Sequence, residues 1–114
     1  MISVTLLYQD AVPIGFRSSG HADFAAYGSD IVCAAVSVLI INTMNSIESL
    51  TDAKFSQSVV PADGEGENGE IDRVDYLLLD KTPEAILLMK SLVLGLAQIR
   101  EEYEEYISVA VEEV

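Results

Sequence analysis

Residues Gly20 to Ser37 read GHADFAAYGSDIVCAAVS, and this stretch decides the fold. Its first half is punctuated by glycine, serine and aspartate, the residues of a loop. Its second half opens an uncharged apolar run, Ile31 to Ile41, which continues as a helical pattern to about Ser49. That length argues for a buried helix rather than a strand. The many β-branched residues lower its helix propensity, so burial must decide the conformation. Ser29 or Asp30 is the expected N-cap, accepting a backbone N–H from the first turn. The same stretch holds the chain's only histidine and only cysteine, His21 and Cys33.

On the N-terminal side, Ile2, Val4, Leu6 and Tyr8 alternate with Ser3 and Thr5, the pattern of a half-buried strand. Gln9-Asp10-Ala11 suits a turn, and Val12 to Ser18 returns antiparallel, with Pro13 and Gly15 marking an edge or bulged strand. Ser19 to Ser29 is then a loop. On the C-terminal side, Ala53 to Val60 is a third strand ended by Pro61, and Ile71 to Leu79 a fourth. Between them Asp63 to Glu70 (DGEGENGE) lacks the Lys-Ser/Thr ending of a phosphate-binding loop and is read as a mobile hairpin connection. Thr82-Pro83-Glu84 supplies a cap, a first-turn proline and an acid at the positive dipole end. The helix it starts runs to about Glu105, with Ala85, Leu88, Met89, Leu92, Leu96, Ile99 and Tyr103 as its apolar face. The EEYEEY run, Glu101 to Tyr106, reads as a solvated terminus, and Tyr106 to Val111 alternates again as a last strand. The order β-β-α-β-β-α-β predicts an α+β fold, a mostly antiparallel sheet packed with two α-helices in a single domain over residues 1–114.

Half of the 114 residues are apolar, which marks a globular chain. Nineteen acidic residues against six basic ones give a net charge of −13. Such a surface repels phosphate backbones and so argues against nucleic-acid binding, while it attracts a basic partner. Solubility alone also accounts for the charge. One cysteine excludes an intramolecular disulfide and any multi-cysteine metal site, and fits a reducing compartment. The start MISVTLLYQD has no basic leader, and the Ile31–Ile41 run is too short to span a bilayer. These features predict a cytoplasmic protein with no membrane association, no metal and no cofactor.

A thiol in the first turn of a helix, with an imidazole on the loop before it, is what a cysteine nucleophile requires. Unpaired N–H groups at a helix start favour the thiolate and can hold an oxyanion. Asp30 either caps the helix or orients His21, and the Ser37 hydroxyl lies one turn beyond the thiol on the same side. A core cysteine beside an incidental loop histidine is the competing reading, because Val32, Ala34, Ala35 and Val36 surround Cys33. The glycines at 20 and 28 bracket a loop suited to act as a substrate-gated lid. Phe16, Phe24 and Tyr27 are candidate apolar contacts for a substrate.

GHA at Gly20 to Ala22, followed by GSDIVCAAVS at Gly28 to Ser37, resembles the signature of the bacterial ribosomal-processing cysteine proteases (Prp). The similarity in layout extends along the chain, from the first strand to the last. The resemblance implies a small homodimeric protease that removes the N-terminal extension of large-subunit ribosomal protein twenty-seven. Cleavage is expected after an apolar segment ending in phenylalanine and before a basic one. Carried onto this sequence, the catalytic dyad is His21 and Cys33, with Gly20, Asp30 and Ser37 at supporting positions. Two other functions compete: a non-catalytic acidic module that binds a basic ribosomal protein during assembly, and a redox-sensing thiol protein. The second lacks a resolving cysteine.

Overall fold

The computed structural model of the chain describes residues 1–20, 27–61 and 71–114. Five strands and two helices follow in the expected order: β1 (Ile2–Gln9), β2 (Val12–Ser19), α1 (Tyr27–Leu50), β3 (Phe55–Pro61), β4 (Ile71–Leu78), α2 (Pro83–Tyr103) and β5 (Ile107–Glu113). The strands form one sheet in the spatial order β3-β4-β2-β1-β5. Three of its neighbour pairs are antiparallel, and β5 lies parallel to β1.

This order places two interleaved crossovers in the molecule. Through α1 the chain passes from β2 over β4 to β3, and through α2 from β4 over β2 and β1 to β5. Since β2 and β4 are antiparallel, the two helices also run in opposite directions. One end of the sheet therefore gathers the end of β2, the start of α1, the end of β3 and the end of α2.

Parity along each strand sets the two faces. Ile2, Val4 and Leu6 of β1, Phe16 of β2, and Val74, Tyr76 and Leu78 of β4 are buried in one core with the helices. Their partners on the other face include Ser3, Thr5, Arg17, Ser58 and Asp75. On that face the Arg17 guanidinium reaches across β1 to Glu112 at 2.8 Å, an exposed pair of small energetic weight.

The β1–β2 hairpin turns at Asp10 and Ala11, both with positive φ (52° and 65°). Two left-handed central residues match the twist of paired strands, as a two-residue hairpin needs. The Asp10 amide also donates to the Glu113 carboxylate at 3.2 Å. Leu7 stands opposite Gly15 and Tyr8 opposite Pro13, so Ile14 is the extra residue of a bulge. The bulge was expected, but β2 is the central strand and not an edge. Gly15 is required there by close approach, because a Cβ would come within 2.3 Å of the Tyr76 carbonyl oxygen.

At the start of α2 the Thr82 hydroxyl accepts the Ala85 N–H at 3.3 Å, with Pro83 in the first turn. Ala85, Met89, Leu92 and Leu96 are buried, and Leu88, Ile99 and Tyr103 pack against the same core. Gly95 lets the helices close: a Cβ on it would lie 2.9 Å from Cδ1 of Leu39 in α1. In α1 the buried stripe is Val32, Val36, Ile40, Thr43 and Ile47, with the Thr43 hydroxyl donating to the Leu39 carbonyl at 2.7 Å.

Two expectations about α1 need correction. The helix begins at Tyr27, a turn earlier than expected, so Ser29 and Asp30 lie inside it and neither is its cap. The span Ile31–Leu50, with mean hydropathy 1.6, is also long and apolar enough to cross a membrane by length and composition. One stripe of the helix, Val32, Val36, Ile40, Thr43 and Ile47, is buried, while Ile31, Val38, Ile41 and Leu50 are exposed.

Phe16, Tyr76 and Phe55 form an aromatic stack across β2, β4 and β3, with ring centroids 5.3 and 5.1 Å apart. The buried Tyr76 hydroxyl has no hydrogen-bond partner among the described residues. Burial first, and then the Glu48 carboxylate of α1, push its pKa up to about 12. The hairpin connection at Asp63 to Glu70 lies outside the described residues, although the strands flanking it pair antiparallel.

Candidate active site

β2 delivers the chain to the gathered end of the sheet, where Ser19 pairs with Ser3 and Gly20 follows with φ +95°. A Cβ on Gly20 would lie 2.4 Å from the Met1 carbonyl oxygen. Both the backbone angle and the contact exclude a side chain, so Gly20 fixes the direction in which the chain leaves the sheet toward position 21. His21 and Phe24 themselves lie outside the described residues.

Cys33 is a free thiol, half-buried, and the seventh residue of α1. It therefore sits in the second helical turn and not the first. In a regular helix its amide is committed to the carbonyl four residues back, so it is not one of the unpaired donors. Those donors belong to the turn that begins at Tyr27, and helical side chains lean toward the turn before them. The thiol is thus aimed back toward the helix start although its own N–H is spent.

The side chains around it divide cleanly. Val32 and Val36 are buried in the core, which fixes the rotation of the helix, while Ile31, Ala34 and Ser37 are exposed. Cys33 lies at the border between these faces and packs on the edge of the core. A fully enclosed structural thiol would lie on the Val32–Val36 stripe, so the half-exposed position favours chemistry. Ser37 is in solvent one turn further from the helix start.

Of the expected substrate contacts, Phe16 is corrected: it is 0% exposed, stacked on Tyr76, and sealed from any peptide at the surface. Its pairing with Leu6 gives the reason, since both point to the helix-covered face. Tyr27 opens α1. Gly28 is a helical residue, so it does not bracket a lid loop with Gly20, and the rest of that loop lies outside the described residues. What the sequence reading missed is Ile31, 41% exposed two positions before the thiol, with Val59 and Val60 at the same end of the sheet, 41% and 43% exposed. Among the described residues no group of three or more histidine, cysteine or acidic side chains is arranged to hold a metal ion.

Comparison with known proteins bears on the same residues. The family model described as cysteine protease Prp matches residues 1–108. A Staphylococcus aureus protein named ribosomal processing cysteine protease Prp is 35% identical over 88 residues, covering 77% of this chain and 76% of the relative. Among solved structures, SMU.848 from Streptococcus mutans superposes with a TM-score of 0.80 at 27% identity, covering 100% of this chain and 96% of the other. The Staphylococcus aureus protease Prp, solved with a covalently linked product peptide, gives 0.78 at 29% identity, covering 98% and 100%. A lone, half-exposed thiol near a helix start, on a sheet of this topology and within a match of this extent, has one explanation: the chain belongs to the cysteine protease Prp family.

Proposed function

We propose that this protein is a ribosomal-processing endopeptidase in which Cys33 is the nucleophile and His21 the proton carrier. The observation that carries the reading is the position of the only thiol, half-buried in the second turn of α1, the helix that follows β2 in the chain. His21 takes the proton from Sγ, and the sulfur adds to the scissile carbonyl. The N–H groups of the first turn of α1 receive the oxyanion. Collapse of the tetrahedral adduct breaks the C–N bond, with His21 returning the proton to the leaving amine. Water, deprotonated by the same imidazole, then releases the acyl group from sulfur. Asp30 and Ser37 support the dyad from α1, and Phe24 and Tyr27 contact the substrate.

The substrate proposed is the N-terminal extension of large-subunit ribosomal protein twenty-seven, cut between an apolar segment ending in phenylalanine and a basic one. The charge of −13 supports a basic partner, and the exposed Glu101, Glu102, Glu104 and Glu105 stand at the same end of the sheet as Cys33. The proposal includes a single protease domain acting as a homodimer in the bacterial cytoplasm, without a cofactor.

The test is incubation with a peptide spanning that junction and weighing of the products. Turnover by the parent chain, lost in both Cys33→Ala and His21→Ala, is the expected result. Tight binding without cleavage would instead make the chain an acidic assembly module. A sulfenic acid with no peptidase activity would make it a redox sensor.

A further inference from the structure

The outer edge of β3 has a defined set of free backbone groups. The Leu79 N–H donates to the Lys54 carbonyl at 2.8 Å, which places Lys54 among the residues bonded to β4. Antiparallel ladders alternate, so Ser56, Ser58 and Val60, opposite Leu77, Asp75 and Arg73, also turn their N–H and C=O groups inward. Phe55, Gln57 and Val59 turn theirs outward. Among the described residues no strand pairs with that side.

This edge lies on the nucleophile's side of the molecule. α2 covers β2 and β5, and α1 carries the chain from β2 across β4 to β3, so α1 lies over the β4–β3 half of the sheet. The end of β3 and the start of α1 are at the same end of the sheet; there Val59, on the helix-covered face opposite Val74, and Ile31 are both exposed. A relative holds a peptide covalently in its crystal structure, which makes an extended peptide the occupant this edge suits.

From this placement we infer that the apolar segment of the substrate adds to the sheet as a sixth strand beside β3, hydrogen-bonded to the main chain of Gln57 and Val59. Main-chain pairing supplies affinity and holds the peptide extended, and alternate side chains meet Val59 and Ile31. The inference rests on the peptidase reading above and assigns its binding surface.

Proline is the discriminating probe, because on an edge it removes an outward N–H without touching the inner ladder. Two variants, Gln57→Pro and Val59→Pro, are compared with Val109→Pro on the free edge of β5. There Ile2 N–H to Tyr106 O and Val114 N–H to Tyr8 O show that the even-numbered residues face inward, so the Val109 N–H faces out. The substrate is a quenched peptide with an apolar segment ending in phenylalanine followed by lysines and arginines. The expected result is a roughly 3- to 30-fold rise in KM for the β3 variants, larger than their fall in kcat, with Val109→Pro unchanged. In the unaltered fold of the Cys33→Ala chain, the same peptide slows hydrogen exchange at the Gln57 and Val59 amides.

Unchanged KM and unchanged exchange at those two amides overturn the inference, as does an equal loss from Val109→Pro. A change of oligomeric state in Val59→Pro with KM intact overturns it too, by assigning the edge to a second copy. Absence of turnover in the parent chain would instead refute the peptidase reading itself.

Discussion

α2 is held at its start by its own residues, and α1 is held by its neighbours. Thr82 caps α2, Pro83 fits its first turn, Glu84 meets the positive end and Arg100 the negative one. α1 has glycine as its second residue, many β-branched side chains and no basic residue in its last turn. Its stability comes from Val32, Val36, Ile40 and Ile47 in the core and from Leu39 lodged against Gly95. The proposed nucleophile, Cys33, is carried by the helix with the weaker local signals. The thiol's position is therefore a property of the tertiary structure, and the self-sufficient helix is its backing.

The largest effect that separates the two roles is in activity. Cys33→Ala should lower peptide turnover at least about a thousandfold. Because the side chain is small and only half-buried, the urea midpoint should move by less than about 1 kcal/mol equivalent. A large loss of stability would place the thiol in the core after all.

Next come the two buried stripes. Ile47→Ala in α1 and Leu96→Ala in α2 should each cost roughly 2–5 kcal/mol in equilibrium unfolding. Native-state hydrogen exchange distinguishes them: the α1 variant should lose protection along its own helix, while the capped first turn of α2 stays protected in both. Equal fraying in both helices would erase the contrast.

A third effect is confined to alkaline pH. The folded Tyr76 pKa is about 12 against an ordinary 10.0, so folding favours the protonated phenol. That contribution is whole below pH 10 and is lost as pH rises toward 12, about 2–3 kcal/mol in all. Tyr76→Phe removes it and also removes a buried hydroxyl without a partner. Its stability relative to the parent should therefore rise across pH 10–12, measured by melting in parallel buffers. A constant difference across that range would disprove the assignment.

The smallest effect compares the helix starts. Thr82→Ala should cost about 1 kcal/mol. Ser29→Ala should cost less than about 0.5 kcal/mol, since that residue is already inside α1.

Much of this architecture was readable from residues alone, for reasons the structure makes plain. The alternation of Ile2, Val4 and Leu6 with Ser3 and Thr5 was legible because one face of the sheet is covered and the other is not. Thr82-Pro83-Glu84 was legible because capping is local chemistry. The start of α1 was not, because Gly28 and Ser29 look like loop residues, and only the burial of Val32 and Val36 extends the helix over them. β2 was mistaken for a possible edge because which strands flank it is settled by two crossovers, not by its own residues. Phe16 was misjudged for the opposite reason. Its register opposite Leu6 already points it inward, a parity that proximity to the site obscured. Cys33 stood out as the only cysteine, but its depth in the second turn and the outward amides of β3 are geometric facts that no spacing encodes.

The aromatic stack has a practical consequence. The chain contains no tryptophan, so the phenol of Tyr76, fixed between two phenyl rings, is placed to contribute strongly to near-ultraviolet circular dichroism. That band would vanish if tight packing were lost while helical content persisted. Phe55 is at once one wall of this chromophore and a residue of the outermost strand. A ligand settling against that strand would be visible without any label, as a change in the part of the near-ultraviolet ellipticity that Tyr76 contributes alongside the chain's four other tyrosines.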